Sequence, residues 1–184
     1  MYSLHTVLSM APLMTRMDKS RGIAMTRKKS AIIPYRFVKD QLQILLVTSS
    51  SDRKRGRKWV IPKGGVAARL KPHLSAIKEA YEEAGVLMGK PHPICVGKYR
   101  DSSKGDPIPT FLLEVAKLNK DWPEKYKRKR KWVDADKCEG YIKNSGLLSV
   151  IKRGARCLRS NGSNLKMAFE TFYGSIDKRL SKLR

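Results

Sequence analysis

Acidic residues are scarce in this chain of 184 residues, with 16 Asp and Glu against 40 Lys and Arg and a formal charge of +24. So one-sided a surface attracts polyanions, whether nucleic acid, anionic lipid or a highly phosphorylated small molecule, and charge alone does not choose among them. Cysteine is scarce too. Cys95, Cys138 and Cys157 are odd in number and widely spaced, which argues against a disulfide framework or a C-x-x-C motif and for a reducing, cytoplasmic setting with core or inert thiols. No apolar run is long enough to span a bilayer, and no cationic residue precedes the apolar stretch at 7–14 as a secretory signal requires. Internal repeats are absent. The 41% of hydrophobic residues that remain suffice for one compact domain with a sizeable core, and not for two large ones.

The few acidic residues include a group that must repel one another. Residues 59–86 read WVIPKGGVAARLKPHLSAIKEAYEEAGV, in which an apolar strand-like segment and a Gly-rich loop lead into a helix bearing Glu79, Glu82 and Glu83. Spacings of three and four place these carboxylates on one helix face, with Cβ atoms about 6 Å apart. At an effective dielectric of 20 each close pair repels by roughly 3 kcal/mol, so a cation or a proton belongs among them, and a hard divalent ion is the natural occupant. An all-oxygen set without Cys or His suits Mg²⁺ or Mn²⁺ and disfavours zinc. Charged residues at helical spacing are by themselves usually a solvated face. The loop Pro62-Lys63-Gly64-Gly65 changes the balance, because backbone without side chains approaches phosphate or metal closely. Pro72 marks the helix start, Leu74, Ile77, Ala80, Tyr81 and Ala84 its inner face, and Gly85 its stop.

Around this segment the pattern predicts a hairpin from strands at 31–37 and 42–48 joined at Lys39-Asp40, further strands at 94–100, 110–116 and 130–133, and helices at 135–143 and 146–158. Interleaving of this kind makes an α/β fold, a mixed sheet between helices. Glu114 alternates with Phe111, Leu113 and Val115 and belongs on the opposite face of its strand. Residues 1–27, rich in Met, read as a flexible extension, an early start codon or a weak organelle-targeting segment. Residues 159–184 carry Leu165, Phe169, Phe172, Ile176, Leu180 and Leu183 at helical spacing among basic residues, the pattern of a basic amphipathic helix.

The segment resembles the Nudix box: Gly, five residues, Glu, seven residues, Arg-Glu, an apolar residue, any residue, Glu-Glu, any residue, Gly, an apolar residue. Here the frame falls on Gly64, Leu70, Lys78, Glu79, Ala80, Glu82, Glu83, Gly85 and Val86. Leu70 stands in place of Glu and Lys78 in place of Arg. The resemblance implies an α/β/α sandwich with a mixed sheet over residues 28–158. It also implies Mg²⁺ or Mn²⁺ held by Glu79, Glu83 and Glu82 with backbone carbonyls at Lys63 or Gly64, water activated or oriented by Glu82, and Lys78 supporting the carboxylates. Lys78 keeps the charge of the family's Arg but not its bidentate fork.

Two further stretches, Ile44-Leu45-Leu46-Val47-Thr48-Ser49-Ser50 with Trp59-Val60-Ile61-Pro62 and the later run at 121–132, are similar to the diphosphoinositol polyphosphate phosphohydrolase branch of that family. That likeness implies cleavage of phosphoanhydrides in diphosphoinositol polyphosphates and diadenosine polyphosphates. It also implies phosphate contacts at Lys28, Lys29, Ser49, Ser50, Lys63 and Arg128, with Lys104 behind them. Two alternatives stay open. One is a nucleotide or RNA-cap pyrophosphatase using Tyr35, Tyr99 or Trp122 as a platform for the base. The other is a basic module that binds RNA or another polyanion on an inactive scaffold, with nucleic acid the less favoured partner. Oligomeric state has no signature in the sequence.

Overall fold

The sheet grows outward from its two most apolar strands. The computed structural model describes residues 28–50, 58–89 and 93–160; the N-terminal extension and, beyond Ser160, the basic C-terminal helix expected from the sequence lie outside them. Strand β1 (Lys29–Val38) turns through Lys39 and Asp40, both left-handed at φ 48° and 62°, into the antiparallel β2 (Gln41–Thr48). Two consecutive positive-φ residues are what a two-residue hairpin turn demands, because only that hand of turn matches the twist of the strands.

The remaining strands are β3 (Trp59–Val60), β4 (Lys63–Gly65), β5 (Val86–Met88), β6 (Ile94–Tyr99), β7 (Ile108–Leu118) and β8 (Arg130–Asp134). They form an eight-stranded mixed sheet in which β1 lies parallel to β7, while β4 pairs with β1, β6 with β7, and β3 and β8 with β2. Alternation along the strands sorts the core onto two faces. Ala31, Ile33, Ile44, Leu46 and Leu112 face helix α2 (Ser145–Ser160), whereas Ile32, Leu45, Val47, Phe111 and Leu113 face helix α1 (Pro72–Ala84). Strands buried on both faces read as continuous apolar runs, which is why β1 and β2 stand out in the sequence.

Helix α1 lies close to the sheet because Ala76, Ala80 and Ala84, at helical spacing, are fully buried against it. Gly85, left-handed at φ 65°, ends the helix and donates its N–H to the Tyr81 carbonyl at 2.8 Å. On the other face Asn144 caps α2, accepting the Leu147 N–H at 2.7 Å. This is the α/β sandwich expected, with three departures. Part of the Gly-rich loop is itself a strand, β4, held by backbone bonds that side-chain patterns do not reveal. A short β5 follows Gly85 directly. The helix expected at 135–143 is a 3-10 turn, Ala135–Gly140, the short geometry typical of a connector. Of the three thiols expected to be core or inert, Cys138 is buried, Cys157 half-buried and Cys95 exposed, and all three are free of disulfides.

Candidate active site

The strand made from the Gly-rich loop brings the carboxylates against backbone. In β4, Gly64 lies opposite Ser30 of β1, and a Cβ built on Gly64 would overlap the Glu79 carboxylate. Gly64 has no special φ; the Glu79 carboxylate occupies the space of its missing side chain, so a side chain here would push that carboxylate aside. One turn on, the Lys63 N–H points to Glu83 Oε2 at 3.4 Å. Glu79 and Glu83 therefore sit at the sheet side of α1, whereas Glu82 points outward to Lys78, whose Nζ is 2.6 Å from both of its oxygens.

Burial makes these acids unusual. Glu83 is only 3% exposed, and desolvation pushes its pKa up to about 8 even though the Arg128 guanidinium beside it pulls the other way. Glu79 is raised as well, first by burial and then by the charge of Glu82. Among the described residues no three acidic, His or Cys side chains converge into a ready metal cluster. Two of the three acids are paired with the chain's own cations: Arg128 bonds Glu83 through Nη2 and Lys78 holds Glu82. The donor set nonetheless suits a hard divalent cation, with three carboxylates, no Cys or His, and a backbone cradle that any Cβ at Gly64 would fill.

Arg128 spends its donors inside the cluster. Besides Glu83, it donates from Nε to Glu124 Oε2 at 2.5 Å and from Nη1 to the Thr48 carbonyl at 3.0 Å. The loop at 119–129 is thereby clamped to α1, a clamp completed by the Glu124 N–H on the Glu82 carbonyl at 3.0 Å. Arg130 fastens the same loop to the helix end, donating to the Ala84 carbonyl at 2.5 Å and the Asn119 carbonyl at 2.9 Å while lying 3.8 Å over the Trp122 ring. Glu124 escaped the sequence reading. Its spacing of four from Arg128 was the available signal, hidden among seven neighbouring basic or aromatic residues.

Of the basic residues expected to meet phosphate, Arg128 turns inward to the carboxylates and two lysines meet at Asp101. Lys63 and Lys29 lie 3.2 and 3.4 Å from the Asp101 carboxylate, and Lys28 and Lys104 are exposed. Past Asp101 opens a cavity of about 550 Å³ lined by Lys98, Arg100, Ser102, Ser103 and Lys143 at the start of α2. Ser49 and Ser50 follow β2, Ser49 donating its N–H to the Lys58 carbonyl at 2.8 Å. Of the aromatic residues expected as a base platform, Tyr99 is closed at 4% exposure, while Trp122 has Arg130 over its ring and Tyr35, half-buried, packs edge-on against Phe37. Leu70, in place of the family's Glu, is half-buried, and His73 packs edge-on against Phe111 at 6.0 Å.

No protein-family model matches the chain. It is 32% identical over 108 residues to diphosphoinositol polyphosphate phosphohydrolase 3-alpha of Mus musculus, covering 58% of this chain and 63% of that protein. Diphosphoinositol polyphosphate phosphohydrolase 2 of Homo sapiens is 28% identical over 132 residues, 71% of this chain and 68% of its own length. In the fold comparison, the binary complex of a C. elegans Ap4A hydrolase matches with a TM-score of 0.59 at 20% identity, over 72% of this chain and 98% of that one. With the box in place on strand, loop and helix, the chain is similar to Nudix hydrolases in sequence and in fold. It keeps all three box carboxylates and the Gly64 cradle, and it supplies a guanidinium to Glu83 from Arg128 where box position 78 offers only Lys.

Proposed function

We propose that this chain hydrolyses phosphoanhydride bonds in highly phosphorylated small molecules such as diphosphoinositol polyphosphates or diadenosine polyphosphates, with Mg²⁺ or Mn²⁺ and in the cytoplasm. The observation that carries the reading is the seating of Glu79 against Gly64 beside a buried Glu83, because a solvated acidic face would have neither a glycine cradle nor a counter-ion reaching over from another loop. The curated relatives support the substrate class, although the chain spans only 63% of the length of the mouse protein.

In this reading Glu79 and Glu83, with the Gly64 carbonyl, would hold a divalent ion, which would supply charge neutralisation for the phosphates and acidity to water. Glu82 faces outward and orients the attacking water or takes its proton, and Lys78 fixes its direction. Lys63, Lys29 and Lys28 bind the outlying phosphates, and the cavity at Lys98, Arg100 and Lys143 gives a long polyanion room to continue. Ser49 and Ser50 close the other end of β2.

The second reading, a polyanion-binding module, is favoured by one observation: Arg128 and Lys78 already neutralise two of the three acids. Phosphate release from diphosphoinositol polyphosphates, diadenosine polyphosphates, nucleoside diphosphate sugars and capped RNA, with and without Mg²⁺, separates the two. Metal-dependent turnover abolished in Glu82→Gln/Glu83→Gln is expected. Full activity in that double variant would falsify the assignment, and tight polyanion binding with no turnover on any substrate would hand the chain to the second reading.

A further inference from the structure

One buried side chain in the sheet has no packing reason to be there. Ser30 is 0% exposed in β1, and its hydroxyl meets no hydrogen-bond partner among the described residues. Two other buried polar atoms share that state, the Tyr99 hydroxyl and the Trp122 indole N–H, but they sit on large rings whose apolar area favours burial; a serine offers almost nothing but its hydroxyl. Position tells where that hydroxyl can turn. Ser30 lies directly opposite Gly64 in the antiparallel pair of β1 and β4, and opposed residues project to the same side of a sheet. Alternation along β1 puts Ser30 with Ile32 on the α1 face. Ser30 Cβ is therefore about 5 Å from the space above Gly64. That space holds the Glu79 carboxylate.

Glu79 has the complementary need. Glu83 accepts from the Lys63 N–H and from Arg128, and Glu82 accepts from Lys78, whereas no described residue donates a hydrogen bond to Glu79. A buried donor without an acceptor thus lies across one strand pair from a half-buried acid without a donor. Rotation of the serine about its Cα–Cβ bond and a small shift of the carboxylate bring the two within hydrogen-bond length. Carboxylates that ligate a cation are themselves held by hydrogen bonds, and Lys78, where the family pattern has Arg, is committed through its Nζ to both oxygens of Glu82. Resting on the hydrolase reading above, we infer that Ser30 is a positioning residue of the divalent-cation site, its hydroxyl donating to the Glu79 carboxylate when Glu79 serves as a ligand. Ser30 acts through Glu79 and touches neither ion nor substrate.

The test is Mn²⁺ binding to the full chain, followed by loss of the free-ion paramagnetic resonance signal, with thermal unfolding in chelator as a second readout. Ser30→Ala should weaken Mn²⁺ binding by about tenfold, the lower end for removing a hydrogen bond to a metal ligand. It should leave the unfolding midpoint in chelator where it was, because the hydroxyl it removes has no partner to lose. Ser30→Thr, which keeps a hydroxyl, should bind like the parent, and in a Glu79→Ala background Ser30→Ala should add nothing. Unchanged affinity in Ser30→Ala, an equal loss in a folded Ser30→Thr, or an undiminished effect in the Glu79→Ala background would each overturn the inference. So would a lowered midpoint in chelator, which would give the hydroxyl a structural partner such as a buried water. Turnover is scored separately: Mn²⁺ binding that depends on Ser30 in a chain that hydrolyses nothing refutes the hydrolase reading and leaves the positioning role standing, whereas a parent chain that binds no Mn²⁺ overturns both.

Discussion

Two ion pairs neutralise the same helix, and they differ in nearly every respect that matters to energy. Arg128–Glu83 joins a loop to α1 with side chains only 10% and 4% exposed, whereas Lys78–Glu82 lies along the surface of the helix at 41% and 34% exposure. The first couples two elements far apart in sequence; the second couples neighbours one turn apart. A charge stripped of water is tolerable only with its partner present, while a charge at the surface has water as a substitute. The comparison teaches that the buried pair is architecture and the surface pair is tuning. Arg128→Ala should therefore show the largest effect, a loss of about 3 kcal/mol in the stability of the metal-free protein, read by urea or thermal unfolding. Mg²⁺ added to that variant should recover part of the loss, because a cation at Glu83 does again what the guanidinium did. A variant as stable as the parent would erase the distinction between the pairs.

The next two effects sharpen it from outside the pairs. Gly64→Ala places a methyl group where the Glu79 carboxylate lies, at a backbone position with no positive φ. The fold should survive and turnover should fall by about a hundredfold, the scale expected when a reacting group is displaced by about 1 Å. Unchanged turnover would show that Glu79 is not held where the reaction needs it. At the rim, Asp101 occupies both Lys29 and Lys63. Asp101→Asn should lower KM for a polyphosphate substrate several-fold and steepen its salt dependence, an exposed-pair effect of at most about 1 kcal/mol. A raised KM would mean that Asp101 positions the two lysines.

How much of this was readable beforehand follows the same division between buried order and surface chemistry. The box helix, its Pro72 start and Gly85 stop, and the apolar strands β1 and β2 were legible because periodicity and backbone-specific residues leave local marks. The role of Gly64 was legible only as a need for close approach; which group approached, Glu79, required the fold. Arg128 was marked as a phosphate contact, and in the structure its donors turn inward to Glu83, Glu124 and Thr48. No sequence rule reports a contact spanning 45 residues. The strand β4 was missed because two glycines and a lysine carry no strand propensity, and its register comes from pairing with β1 alone. Tyr126, one aromatic among many basic residues, gave no hint that it alone among the aromatics of the run would be left exposed.

The smallest effect is the most demanding check on the comparison. Lys78→Ala removes a pair with good geometry, both carboxylate oxygens of Glu82 at 2.6 Å, yet an exposed pair one helical turn apart contributes only about 0.3–0.5 kcal/mol. Stability should scarcely move, and the residual change should vanish in high salt. If the pair matters to the reaction instead, kcat should fall with KM nearly constant, since the Lys acts on how Glu82 meets water and not on how substrate is held. Lys78→Arg, which restores the residue of the family pattern, should then preserve or raise kcat. A stability loss as large as that of Arg128→Ala would show that Glu82 is buried in function if not in surface area, and the division between architecture and tuning would have to be redrawn around all three acids.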